Sequence, residues 1–134
     1  MSLIARLLVG DNNAELYSEE YLIEKCVFKF LNHTNYLYPN SEVNYGTVSL
    51  TLRKPDNLFL YAWYIEQSKI SGRIEFELSK YEDTPRKVLD FEGAQCFSLS
   101  EEYDKNGKSQ LQLNLNFVAK EIKIGNIKFK YFNQ

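Results

Sequence analysis

Asp90 and Glu92 are the two side chains whose spacing most invites chemistry. They sit one residue apart in Val88-Leu89-Asp90-Phe91-Glu92, so on a strand both face the same side. Two carboxylates so placed can divide acid and base work, as glycoside hydrolysis requires. Their alternation with Val88, Leu89 and Phe91 describes instead the solvated face of a half-buried strand. His33 is the only histidine, flanked by Asn32 and Thr34, and nothing around it resembles the nucleophile–base arrangement of a hydrolytic triad. Cys26 and Cys96 lie 70 positions apart, without a CxxC pair and with a single histidine to help. That falls short of a zinc set, and they read as free thiols in a reducing compartment. Asp104-Lys105-Asn106-Gly107 lacks the ligand spacing of a calcium loop, and no glycine-rich phosphate loop occurs. The expectation is a protein that is not an enzyme and uses no metal or cofactor.

The elements that carry these residues are strands. Aromatic residues make up 15% of the 134 residues, ten of them Tyr, which favours pleated surfaces. One domain spanning 1–134 is expected from the length. Sixteen basic and eighteen acidic residues leave a net charge of −2, which argues against nucleic acid as a partner. Arg6 interrupts the apolar start, so no signal peptide is read there. The longest apolar run, Leu58 to Ile65, is far short of the ~20 residues that span a bilayer, so no membrane insertion is expected. Such a chain is made and folded in the cytoplasm.

In chain order, Met1 to Val9 predicts a strand apolar on both faces, Gly10 to Asn13 a turn, and Ala14 to Tyr17 a short return strand. Tyr21 to Asn32 predicts a long strand, aromatic in both phases, and His33 to Tyr45 a long loop. From Gly46 a strand turns Val48, Leu50 and Leu52 inward. After Pro55, with Asp56 as N-cap, Leu58, Ala62 and Ile65 align on one face of the one helix, with Phe59 and Trp63 beside them, ending near Ser68; the alternative for this run is an aromatic strand. Ile74, Phe76 and Leu78 alternate with Glu75 and Glu77 towards a turn at Asp83-Thr84-Pro85. Val88 to Phe91 and Ala94 to Tyr103 flank Gly93, and Asn106-Gly107 supplies the turn of a hairpin. The return strand has a strict period of two: Leu111, Leu113, Leu115 and Phe117 on one face, Gln110, Gln112, Asn114 and Asn116 on the other. Ile127, Phe129 and Tyr131 form a last strand. The reading is a mainly β chain, a small antiparallel β-barrel or sandwich of eight or nine strands with one α-helix. Open sheet edges must be hidden or shared, and the two-faced first strand and the apolar Tyr36-Leu37-Tyr38 offer surface for sharing.

Several of these stretches carry a resemblance. Leu89-Asp90-Phe91-Glu92-Gly93-Ala94-Gln95-Cys96, then Glu101-Glu102-Tyr103, the turn, the alternating strand and Lys120-Glu121-Ile122-Lys123-Ile124-Gly125-Asn126 resemble the haemolysin-coregulated (Hcp-like) tube proteins of type VI secretion systems, in the branch found in Bacteroidetes. Pro39, Ser41, Val43 and Gly46, followed by an alternating strand, and the helix after Pro55 are similarly placed.

The resemblance implies an Hcp-like β-barrel with one helix, six copies to a ring, and rings stacked into the inner tube of a contractile machine. The tube is ejected when its sheath contracts, which would export the chain without a signal peptide. The implied partners are other copies or paralogous tube subunits, the sheath, spike and baseplate proteins, and secreted effectors carried in the lumen. In the family the loop held here by Tyr36, Leu37, Tyr38, Pro39, Asn40, Ser41 and Val43 touches neighbouring subunits or the next ring. Residues 32–40 depart from the branch, which usually has an Asp and a Gly-Arg-Pro cluster there; only Pro39 remains. Gln110, Gln112, Asn114 and Asn116 are candidates to line the lumen, the alternative being a solvated outer face. The competing function is a monomeric β-barrel that binds a small apolar ligand among its aromatics.

Overall fold

Period-two alternation builds most of this molecule. The computed structural model describes residues 3–34, 42–53, 57–79, 87–104 and 111–130. Seven strands run through them: β1 Leu3–Asp11, β2 Leu16–Thr34, β3 Glu42–Arg53, β4 Ile70–Ser79, β5 Lys87–Tyr103, β6 Leu111–Ile124 and β7 Ile127–Lys130. One helix, α1 Phe59–Glu66, lies between β3 and β4. The sheet order is β3-β2-β1-β4-β5-β6-β7, every pairing is antiparallel, and β3 also pairs with β6. That last pairing closes six strands into a barrel and leaves β7 beside β6 as an appended strand.

The expected eight or nine segments become seven because two apparent breaks are continuous. Leu16–Thr34 is one strand of 19 residues, and Lys87–Tyr103 runs straight through Gly93. Breaks in phase explain why. In β5, Leu89 and Phe91 point into the barrel, Gly93 takes φ +62°, and Ala94 and Cys96 then point inward in the opposite phase. A second register shift between Cys96 and Ser98 turns Phe97 outward. Each irregularity inserts one residue and flips every following side chain. In β2 a shift between Ile23 and Lys25 does the same: Tyr21 and Ile23 face the core before it, Cys26 and Phe28 after it. This accounts for a strand aromatic in both phases.

The core is filled by side chains, with Trp63, Phe91 and Phe117 the largest fully buried ones. Val48, Leu50 and Leu52 of β3 face Leu113, Leu115 and Phe117 of β6 inside it, as alternation predicts. Phe117 holds Trp63 and Phe91 at centroid distances of 5.6 and 4.8 Å.

Three expectations need correction. The helix buries Leu60 and Trp63, whereas Leu58 and Ile65 are each 75% exposed. With hydrophobic residues all round so short a helix, its rotation is set by what it plugs, and it plugs the barrel with Trp63. The N-cap position is Leu58, without a side-chain cap; the Phe59 amide instead donates to Asn57 Oδ1 at 3.0 Å, and Asp56 lies outside the described residues. The loop His33–Tyr45 is shorter than expected. His33 and Thr34 pair with Val43 and Glu42, so β2 and β3 continue into it. The turns at 83–85 and 105–107, and Tyr131, lie outside the described residues.

Candidate functional surface

The carboxylate pair is brought to one face and then used up. Asp90 Oδ1 accepts from Arg73 Nε at 2.7 Å, and Glu92 accepts from Ser71 Oγ at 2.5 Å and Asn12 Nδ2 at 3.2 Å. The bond to Asp90 is the main cause that raises the Arg73 pKa above its ordinary value. These carboxylates tie β5 to β4 and to the β1–β2 turn.

Asn12 extends that tie. Its Nδ2 also donates to Gly72 O at 2.8 Å and Phe91 O at 3.1 Å, and its Oδ1 accepts from Tyr17 Oη at 2.9 Å. Turn residues are normally solvated; this one fastens three strands. On the same outer surface Arg6 bridges Glu75 at 2.6 Å and Glu20 at 2.9 Å. Glu75 was expected on the exposed side of β4 and is only 7% exposed, because Arg6 lies across it. The β1–β4 exterior is therefore a lattice of paired charges. The sequence held a turn signal at Asn12 and an alternating charge pattern at Glu75, but neither indicates a partner.

The β3–β6 exterior differs in kind. Register sets Ser49 opposite Asn116, Thr51 opposite Asn114 and Arg53 opposite Gln112. Ser49 Oγ donates to Asn116 Oδ1, and Thr51 Oγ1 donates to Asn114 Oδ1 at 2.8 Å. Ser98 and Ser100 of β5 face the same two asparagines from the other side. At the end of this ladder, Gln112 Nε2 and Arg53 Nε share the Glu24 carboxylate at 2.9 and 2.7 Å. Three of the four candidate lumen residues, Gln112, Asn114 and Asn116, thus share one hydrogen-bonded polar surface; Gln110 lies outside the described residues. Tyr36, Leu37, Tyr38, Pro39, Asn40 and Ser41 also lie outside them, and Val43 is a paired residue of β3.

Burial pushes the Cys26 thiol pKa up to about 11 against the opposing charge of Lys87, and burial also raises Cys96. Cys96 is buried and Cys26 half-buried, and both are free. Among the described residues no group of three or more His, Cys, Asp or Glu side chains could hold a metal ion, and no helix is long and apolar enough to cross a membrane.

Free strand edges remain. Beyond Ile23, β2 is paired with β3 alone, and β7 is paired with β6 alone, among the described residues. Unpaired backbone donors and acceptors along such edges are where another chain can join.

Comparison with known proteins places this architecture. The family model "Hemolysin coregulated protein Hcp (TssD)" matches residues 1–131. No curated protein matches. Among solved structures, Hcp1 from Flavobacterium johnsoniae is similar with a TM-score of 0.77 and 18% identity over 95% of this chain and 98% of that one. The secreted protein Hcp3 from Pseudomonas aeruginosa is similar at 0.60 and 10% identity, over 98% and 100%. The sheath–tube complex of an extracellular contractile injection system, PVC, in its extended state, gives 0.59 and 11%, over 92% and 88%. A small barrel with open strand edges and this match along its length fits a building block, and the chain belongs to the Hcp (TssD) family as a type VI secretion tube subunit.

Proposed function

We propose that six copies of this chain close into a ring, that rings stack into a tube, and that the β3–β6 exterior of each copy lines the lumen. The observation that carries this reading is the contrast between the two exteriors. On β1 and β4 the charges are paired among themselves, whereas Ser49, Thr51, Asn114 and Asn116 form an uncharged ladder of hydroxyls and amides. That strip of hydroxyls and amides hydrates well, and the charge at its end, Arg53, is paired with Glu24. Effectors of varied surface then pass or lodge without strong trapping. Around the ring, the open edges of β2 and β7 join copies head to tail, as heterologous contacts that close into a cycle.

Edge pairing alone gives about 1 kcal/mol net per hydrogen bond, which scarcely offsets an association cost of about 4–15 kcal/mol. Residues 36–41 with Val43 supply the apolar remainder. The assembled tube meets sheath, spike and baseplate and leaves the cell when the sheath contracts. The small-ligand alternative gains nothing from the structure, since Trp63, Phe91 and Phe117 occupy the barrel interior. Electron microscopy of concentrated protein tests the proposal: rings with Asn114 and Asn116 facing the central hole are expected, and rings with those side chains outside would remove the lumen assignment. Deletion of residues 36–42 is expected to leave a folded monomer in native mass spectrometry; unchanged oligomers would remove the role of that segment.

A further inference from the structure

We infer that the face carrying the hydroxyl and amide ladder retains acidic polypeptide, held by Lys25, Lys29 and Lys120 on its flanks. This rests on the reading above that the face lines a lumen, and it names the chemistry of the cargo that stays there longest.

The ladder is the middle of a wider face whose borders are set by register. Lys25 of β2 lies opposite Thr51 and Lys29 opposite Thr47, so both lysines turn to the side on which Thr51 meets Asn114. On β6 Ala119 is buried and Lys120 exposed, so Lys120 continues the outward phase of Asn116 and Val118. Lys25 and Lys29 are exposed as well. Four positions along one strand separate those two by about 13 Å. Lys29, Thr47 and Val118 share a row across the sheet, which puts Lys120 two strands over and two positions along from Lys29, about 12 Å away.

These three cations have not been neutralised by neighbours. Among the described residues none of them is in an ion pair. Glu121, next in sequence to Lys120, lies 3.9 Å from Lys128, and Glu24, next to Lys25, is held by Arg53 at 2.7 Å. Glu102 is exposed opposite Gln112 at the far end of the face, three strands over and one row along from Lys25. That is about 16 Å, twice the Debye length of about 8 Å in physiological salt. A chain of net charge −2 thus turns lysines to the one exterior that is otherwise uncharged.

The strip between the lysines favours the same kind of ligand. In Asn114 and Asn116 the amide oxygen accepts from a β3 hydroxyl, which assigns the amide nitrogen, a donor only, to whatever else they meet. Donors flanked by cations suit carboxylates. Nucleic acid fits less well: a strand carries a phosphate about every 3.4 Å, lysines about 12 Å apart meet few of them, and the arginine of this face is committed to Glu24. In a ring the cations repeat around a concave wall, where charges of one sign add their fields. Each exposed ammonium–carboxylate pair is weak and screened by salt, so retention needs several at once and stays reversible.

The test measures binding of fluorescent short poly-L-glutamate, and of a short oligothymidylate, to assembled rings by anisotropy. We expect poly-L-glutamate affinity to fall about tenfold or more as sodium chloride rises from about 0.05 to about 0.5 M. Lys29→Gln/Lys120→Gln is expected to lose about tenfold, and Lys69→Gln/Lys130→Gln, equal in charge but off this face, less than about twofold. Lys120→Gln alone, away from the β2 edge, is expected to lose about threefold, and it decides the matter if the double variant fails to assemble. Equal losses in the two double variants, or unchanged binding in Lys120→Gln, would overturn the acidic-cargo site and leave the tube reading standing. Tighter binding of oligothymidylate than of poly-L-glutamate would overturn the choice of polypeptide. Rings with Asn114 and Asn116 on the outside, or a chain that stays single under every condition, would overturn the lumen reading and this inference with it.

Discussion

The indole Nε1 of Trp63 donates to the carbonyl oxygen of Ala94 at 3.1 Å in a buried site. The bond joins the helix to β5 one residue after Gly93, where the strand changes phase. That change turns Ala94 inward, and its small side chain leaves room for the ring that Phe117 also packs against. Helix placement and strand irregularity are thus one feature. Trp63→Phe keeps most of the apolar volume but leaves the Ala94 carbonyl without its donor, and is expected to cost about 1–3 kcal/mol. Trp63→Ala adds a cavity and is expected to cost about 3–5 kcal/mol. Urea titration of the isolated chain followed by circular dichroism reads both values, and equal costs would show that the hydrogen bond and not the packing holds the helix.

Gly93 has φ +62°, and a Cβ built there would meet Lys120 Cβ at 3.1 Å. An alanine must hold a left-handed backbone and displace a neighbour. Gly93→Ala is expected to lower stability by about 1–2 kcal/mol. Gly125 has φ +60° with nothing near its Cβ position, so Gly125→Ala carries the backbone term alone. The difference between the two variants in chemical denaturation measures the crowding at Gly93.

Arg6 separates a buried from an exposed ion pair. The Glu75 side chain is 9% exposed and that of Glu20 55%. Removing the guanidinium leaves the buried Glu75 side chain without its cation, so Arg6→Ala is expected to cost about 3 kcal/mol. Glu20→Ala removes only a solvated partner and is expected to cost under about 1 kcal/mol. Comparable losses for the two variants in thermal melts would contradict this division.

Asn12 is expected to tolerate no charge. Asn12→Asp exchanges a donor shared by Gly72 O, Phe91 O and Glu92 for a carboxylate facing all three. A loss of about 2–4 kcal/mol at neutral pH is expected, larger than for Asn12→Ala, because repulsion is added to the lost bonds. Stability of the Asp variant should recover in part on acidification, and a pH-independent deficit would argue against the repulsion.

Cys26 gives a pH prediction with a definite sign. Its thiol rises from an ordinary 9.0 to about 11 in the folded chain. A raised pKa means that the native state holds the proton more tightly, so the stabilisation is complete below pH 9 and is lost as pH rises through 11. Cys26→Ala is expected to flatten the alkaline limb of the stability–pH curve. Labelling by a thiol reagent at pH 8 is expected to be slow in the folded chain and fast in urea.

How far the sequence went depended on how local each feature is. Alternation is a property of neighbouring residues, so the β5–β6 hairpin, the inward faces of β3 and β6, and the polar run through Gln112, Asn114 and Asn116 were all readable, as was the family from its motifs.

Tertiary structure decided what depends on a distant partner. Breaks in phase at Gly93 and between Ile23 and Lys25 follow from which strand lies alongside, and they merged segments that composition separates. Leu60 and Trp63 became the buried side of a helix apolar all round because of what the helix meets, Trp63 packing on Phe117 and donating to the Ala94 carbonyl. Asn12 became a fastener, and Glu75 a buried ion, only when residues some sixty to eighty positions away arrived beside them. Closure itself came from β3 meeting β6, a pairing that alternation within either strand does not signal, and that closure gave the hydroxyl and amide ladder its two halves.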